Sequence, residues 1–286
     1  MPSLIDIRRR IRSVKNTQQI TRALKLISAA KLRRAQDRVI AARPYARSLK
    51  ELLGNLAAAS ASDERLAESA LLAHREEKTV QLILMTSDQG RAGAFNANLT
   101  RGADRFFADR PIEFELVTVG RKGRDYYRRY GRTILSEHIG VLTRPAYSTA
   151  ADIARATIER FRKAEIDAVY LMYNEFRSVL SQKVVVNRIL PVDLPEKKEE
   201  TLDYIFEQPP AEMLEHLLPR YVEVSLFQGM LETAAAEHAA RMTAMDAATT
   251  NAGKVIDRLT LFMNRARQAA ITKEIIEVVS GAAAQE

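Results

Sequence analysis

The ten residues Ser87-Asp88-Gln89-Gly90-Arg91-Ala92-Gly93-Ala94-Phe95-Asn96 are the best candidate in this sequence for small-molecule chemistry. They lie between a short apolar run and a helical pattern, and backbone N–H groups at a strand-to-helix junction favour anions. The two glycines are spaced by three, which matches neither the dinucleotide fingerprint nor the phosphate loop with its Gly-Lys-Ser/Thr ending. A tight turn with Asp88 or Asn96 as a cap accounts for the same residues. Metal chemistry has less to build on: cysteine is absent, and His74, His138, His216 and His238 show no ligand spacing. A third chemistry is phosphate contact, because Lys and Arg at 8, 9, 10, 12, 15, 22, 25, 31, 33, 34 and 38 crowd the first helix. No aromatic residue precedes Tyr45 to stack on bases, and the same segment carries a heptad seam, so a protein partner competes with a nucleic acid for these charges.

The totals narrow the class. At 286 residues, 47% apolar and 28% charged, the chain can build a core and two architectural units. No cysteine means no disulfide framework and no thiol nucleophile. The N-terminus leads from Met-Pro-Ser-Leu into a run of arginines without the apolar stretch of a signal peptide, and no apolar run approaches a membrane span. A cytosolic location follows, with membrane contact through partners only. The net charge of +8 is uneven: residues 1–50 hold 14 Lys and Arg against Asp6 and Asp37, or +12, which leaves −4 for the remainder. Such a basic face is either solvated or docks on an acidic partner.

The elements that position these groups are dominated by two long helical patterns. Residues 1–56 read as a first coiled-coil helix with Ser3 as N-cap. Its seam runs through Leu4, Ile7, Ile11 and Val14, then through Leu32, Ala35, Val39 and on to Leu56. Between the blocks Ile20, Leu24 and Ile27 carry the apolar stripe, which predicts a phase shift, and Pro44 predicts a kink or short break. Residues 57–78 form a connector. Residues 79–190 alternate short strands (Val80–Met85, Glu113–Val119, Thr133–Ser136, Ala168–Tyr173, Lys183–Arg188) with helices, the one before the last two strands being capped near Ser148. This predicts an α/β fold with a mainly parallel, Rossmann-like sheet whose last two strands pair antiparallel. Residues 191–219 are a Pro- and charge-rich linker with a strand-like piece at Tyr204–Phe206 and a short helix, Ala211 to Leu218, stopped by Pro219. From 220 to 286 a second helix keeps a strict heptad through Leu231, Ala235, His238, Met242, Met245, Thr249, Ala252, Ile256, Leu259, Met263, Ala266 and Ala270. Met242, Met245 and Met263 are read as seam packing.

The first helix ends where the α/β domain begins and the second starts where it ends, so the two pair as a long antiparallel coiled coil. The second is the longer. Its unpaired tip would carry Ile275, Ile276, Val278 and Val279, apolar residues that call for a socket on another protein.

Two stretches bear a family resemblance: Ile7–Leu32 (IRRRIRSVKNTQQITRALKLISAAKL), and the C-terminal set Arg241–Gly253 (RMTAMDAATTNAG), Arg265–Glu274 (RARQAAITKE) and Ser280–Ala284 (SGAAA). Together they resemble the γ subunit of the F-type rotary ATP synthase, and the likeness extends over the whole chain, including the inserted α/β domain. The resemblance implies a non-catalytic central shaft without cofactor. It would turn inside three α and three β subunits, coupling ion-driven rotation of the membrane c-ring to conformational cycling of the catalytic β subunits. The base would bind the ε subunit and the c-ring, with no nucleic acid. Carried over by position, Arg267 and Gln268 would engage a catch loop of β. Thr272 and Glu274 lie a turn further, and Lys15, Arg22, Leu24 and Lys25 belong to the basic helix that faces the acidic lever region of β. Ile275, Ile276 and Val279 would sit in the apolar sleeve. The loop departs from its relatives' Asp-Arg-Gly-Leu-Cys-Gly: Gln89, Arg91 and Ala92 replace Arg, Leu and Cys. Leu24 stands where many relatives have Met. The cysteine-bearing insert of chloroplast forms is missing, so the resemblance is to the bacterial type, peripheral at the cytoplasmic face of the plasma membrane. A nucleotide-binding α/β enzyme and a nucleic-acid-binding coiled coil are the alternatives.

Overall fold

The computed structural model describes residues 3–60, 69–110, 112–194 and 208–283. The order is α1 (Leu4–Ala59), β1 (Thr79–Met85), α2 (Phe95–Ala108), β2 (Glu113–Val119), α3 (Arg121–Arg129), β3 (Ile134–His138), α4 (Tyr147–Arg162), β4 (Ala168–Phe176), β5 (Gln182–Leu190) and α5 (Pro210–Ala283). Two compact units result: residues 1–28 with 242–286, and residues 29–241. The strand-like piece read at 204–206 lies outside the described residues.

The larger unit is an α/β domain. Its sheet has the order β3-β2-β1-β4-β5, with β1 parallel to β2 and β4, β2 parallel to β3, and β5 antiparallel to β4. Alternate residues of each strand serve two layers. On one face Phe114, Tyr170 and the α2 residues Phe106 and Phe107 meet edge to face, with ring centroids 4.7–5.6 Å apart where Phe114 or Tyr170 is a partner. On the other, Ile83, Met85, Val117, Val169 and Leu171 join α4 (Ile153, Ile158, Phe161), the end of α1 (Leu49, Leu53, Leu56) and the start of α5 (Leu214, Leu218, Val222, Leu226) in one core.

Several local expectations are corrected. Neither proline breaks its helix: Pro44 lies inside α1, and Pro219 inside α5, which absorbs the short helix expected at 211–218. The carbonyls that lose their N–H partners belong to Ile40 and Glu215, both on the exposed side and open to solvent. Buried Val39 and Leu49 flank Pro44, and buried Leu214, Leu218 and Val222 surround Pro219, so packing holds the helix on both sides of each ring. Ser148 does not cap α4, whose N-cap is Ala146 without a side-chain bond. Ser3 does cap α1: Asp6 N–H donates to Ser3 Oγ (3.2 Å), and Ser3 Oγ donates to Asp6 Oδ2 (2.8 Å).

In the smaller unit α1 and α5 run antiparallel. Gln18 Nε2 reaches Thr249 O at 3.4 Å, Thr249 Oγ1 donates to Thr21 Oγ1 at 2.8 Å, and Lys25 Nζ meets Asp246 Oδ1 at 2.6 Å, so partner numbers fall as α1 numbers rise. The phase shift expected in α1 is absent. Buried or half-buried positions follow 7, 11, 14, 18, 21, 25 and 28 and continue through 32, 35 and 39 to 56 in an unbroken 4,3 repeat. Ile20 (59% exposed) and Ile27 (52%) stand off the seam, and Leu24 beside it is half-buried. The seam keeps its phase by switching to polar residues, Gln18, Thr21, Lys25 and Ser28. Polar groups at core positions specify register at a cost in stability, because a slipped pairing would strand them.

Candidate functional site

The loop after β1 is built as a fastening. Ser87 N–H and Ser87 Oγ both donate to Asn96 Oδ1 at 3.0 Å, and Asn96 Nδ2 donates to Ser87 Oγ at 2.8 Å. Asp88 accepts from Arg121 N–H (2.9 Å) at the start of α3 and from Gly140 N–H (3.0 Å). Asp88 is thus a cap, as one reading of the sequence had it, but for a helix 33 residues on, while its own following helix starts at Ala94 without a side-chain cap. A carboxylate at this helix N-terminus occupies the position that an anionic ligand would need.

The sheet order reverses between β1 and β4, and the carboxyl ends of strands at such a switch point form the ligand crevice of open α/β sheets. Here α5 lies over it. Gly229 approaches so closely that a Cβ there would sit 3.1 Å from Leu171 Cδ2 and 3.2 Å from Met85 Sδ. Thr233 Oγ1 donates to Met85 Sδ (3.9 Å), and Arg241 Nε and Nη2 reach Gly90 O at 3.4 Å. The domain uses its switch point as a seat for the long helix. The contact comes from a second α5 stripe, Val222, Leu226, Gly229, Thr233, Ala236 and Ala240, all buried and also spaced 4,3. The first-stripe heptad reading missed it, although the spacing was present in the sequence.

Two buried charge clusters support this seat. Glu232, 2% exposed, accepts from Arg43 Nη2 (2.9 Å) and Phe176 N–H (3.0 Å), joining α1, β4 and α5. Glu237 pairs with Arg241 beside His238. Burial raises the Glu237 carboxyl above its usual range, the guanidinium opposing it. Burial, then the charges of Arg241 and Lys31, push His238 down to about 4. The unfolded chain binds a proton at this ring near pH 6.5 and the folded one does not, so the ring's contribution is complete above that pH and is lost as pH falls toward 4. Glu237 has the opposite sign but is common to both chains in a comparison. His238→Gln is therefore expected to lose less stability than the parent between pH 7 and 4, by on the order of 2 kcal/mol after allowing for partial solvent access. Thermal melts of both across that range measure it, and parallel curves would contradict the assignment.

The residues with a proposed partner role lie in the smaller unit. Lys15 and Arg22 are exposed, while Leu24 and Lys25 are half-buried, and Arg22 and Lys25 border a shallow cleft with Gln18, Asp246 and Thr249. Lys25 is the one already engaged, by Asp246. On α5 every seam position through Ala270 is buried or half-buried, and from Ile271 to Ser280 every residue is exposed. Arg267, Gln268, Thr272 and Glu274 are exposed, Thr272 Oγ1 donating to Gln268 O at 2.9 Å within the helix. Ile275, Ile276, Val278 and Val279 are 57%, 58%, 73% and 62% exposed. The register explains this: with Lys25 opposite Asp246, α1 begins at Leu4 before it could reach the last turns of α5. The structure gathers the tip residues on one helical end, and brings the basic set and the tip set to no common point.

An antiparallel coiled-coil segment ending in an exposed apolar tip, together with an α/β domain whose crevice is filled by its own helix, defines a class of assembly subunit with a mechanical architecture. The family model for ATP synthase matches residues 3–285. The chain is 62% identical to the ATP synthase gamma chain of Solibacter usitatus over all of both chains, and 51% identical to that of Pelotomaculum thermopropionicum, again over all of both. A solved structure of the Euglena gracilis mitochondrial ATP synthase rotor shares its fold, with TM-score 0.68, 18% identity, and coverage of 94% of this chain and 98% of that one. The chain belongs to the ATP synthase gamma-chain family.

Proposed function

We propose that this chain is the central shaft of a bacterial rotary ATP synthase and carries no active site of its own. The observation that carries the reading is the tip: ten consecutive exposed residues, five of them large and apolar (Ile271, Ile275, Ile276, Val278 and Val279), at the end of a helix that has outrun its partner. A helix with such a tip in water costs free energy unless a socket covers it. The socket we assign is an apolar sleeve formed by three α and three β subunits. Arg267, Gln268, Thr272 and Glu274 would contact a β loop just below it, and Lys15, Arg22, Leu24 and Lys25 would oppose acidic segments of β. An asymmetric rod in a threefold ring favours a different conformation in each of three otherwise equivalent subunits, so turning it exchanges their nucleotide affinities. The ε subunit and the membrane ring would take the α/β unit, and the complex would sit at the cytoplasmic face of the plasma membrane. No helix of the described residues is long and apolar enough to cross a membrane, which fits attachment through partners.

The test is reconstitution with α and β subunits. The chain alone is expected to hydrolyse no ATP, and the assembly to need it for coupled hydrolysis. A chain with Ile275→Asp and Ile276→Asp keeps its fold, since both positions are exposed, but is expected to bind the ring at least roughly tenfold more weakly, a cost of about 1.4 kcal/mol for carboxylates facing an apolar sleeve. Unchanged assembly with the doubly substituted tip would refute the sleeve.

A further inference from the structure

The larger unit contains a cleft apart from the tip and from the basic set Lys15, Arg22 and Lys25. It measures about 640 Å³, within the range of small-ligand sites, and lies between α1, the β4–β5 hairpin and the first half of α5. Four cations line it, Arg43, Arg47, Lys50 and Arg188, against a single carboxylate, Asp193. Two of the cations are fixed by partners: Arg43 by Glu232, and Arg188 by Asp193 at 2.5 Å. Arg47 and Lys50 have no ion-pair partner among the described residues, and their spacing with Arg43, four and then three, puts all three on one face of α1. Its floor sets Tyr173, Tyr221 and Val186 beside the polar Asn187, Ser225 and Gln228.

We propose that this cleft binds a phosphorylated small molecule with an apolar or aromatic body, its phosphates on Arg47 and Lys50 and its body on the tyrosine-lined floor. A guanidinium offers a planar fork that fits phosphate oxygens, and an ammonium adds a point charge. Arg43 and Arg188, held by Glu232 and Asp193, frame the site without having to reorganise, and the uncompensated charge comes from Arg47 and Lys50. The concave shape selects a small ligand over a flat protein surface, and the floor separates an organic phosphate from a bare anion. The site is distinct from the loop at 87–96, where Asp88 holds the helix terminus.

Isothermal titration of the full chain with three probes tests this. ATP is expected to bind saturably at one site per chain, pyrophosphate more weakly, and adenosine not measurably. The double variant Arg47→Ala, Lys50→Ala is expected to weaken ATP binding at least tenfold, with an unchanged melting temperature because both side chains are exposed. Lys122→Ala, beside the 87–96 loop, is expected to bind ATP as the parent does. Absence of saturation, equal binding by the Arg47/Lys50 double variant, or loss in Lys122→Ala instead would each overturn the assignment.

Discussion

A Gly120→Ala chain is expected to lose more than about 4 kcal/mol of stability, enough to leave the α/β unit largely unfolded. Gly120 ends β2 with φ +108°, a conformation that side chains rarely adopt. The space is worse than the angle: an added Cβ would lie 2.0 Å from Thr86 O and 2.7 Å from Thr86 C, and backbone cannot swing aside as a side-chain tip can. Relief would require parting β1 from β2, which breaks Thr86 N–H to Val119 O (2.7 Å), or shifting Gly120 so that its N–H leaves His138 O of β3 (2.8 Å). It would also pull Gly123 N–H off Thr86 Oγ1 (2.8 Å) and disturb Asp88, which fastens the next two loops. Gly131 supplies the control. Its φ is +69° but a Cβ there would meet nothing within 4 Å, so Gly131→Ala should cost only the conformational difference, about 1–2 kcal/mol. Soluble yield and thermal melting separate the two, and similar melting temperatures would show that the contact with Thr86 yields.

Glu232→Ala is expected to cost about 3 kcal/mol, the lower end of what breaking a buried ion pair costs, because the Arg43 side chain, 43% exposed, can turn partly toward water. The loss has two parts. Phe176 N–H is left buried without an acceptor, and Arg43 loses the carboxylate that aims it, although its bond to Phe176 O (3.0 Å) remains. Replacing both partners with apolar residues, Arg43→Met with Glu232→Leu, removes the stranded charge, so the double variant should recover most of the Arg43 share and keep the Phe176 penalty. For a domain of this size the single change corresponds to a fall of roughly 6–12 °C in melting temperature. A shift under about 2 °C would mean that the network does not join α1, β4 and α5 energetically. Glu232 lies one residue from the heptad position Leu231, so the seam pattern does not mark it as buried.

The sequence by itself determined the periodic parts. A short run closed by Gly120 placed β2 at Glu113–Val119, and the short connection between the last two strands placed them as the antiparallel β4–β5 pair. The α5 heptad from Leu231 to Ala270 determined which face meets α1, and the missing partner beyond Ala270 followed from the unequal lengths of the two helices. Tertiary structure decided the rest. Whether Pro44 and Pro219 break a helix depends on what lies on either side of the ring, and the buried residues flanking each, Val39 and Leu49, and Leu218 and Val222, hold both turns by packing. The seam of α1 stays in phase because Thr249 and Asp246 stand opposite to satisfy Gln18, Thr21 and Lys25, while Ser28 Oγ donates to Leu24 O within its own helix, so an apolar pattern could not locate it. The sequence favoured a capped turn over an anion site at 87–96, but which groups Asp88 caps, Arg121 N–H and Gly140 N–H, only the folded sheet decides. Periodicity reports which side of an element is buried. It does not report against what, and that is the information that separates a filled crevice from an open one.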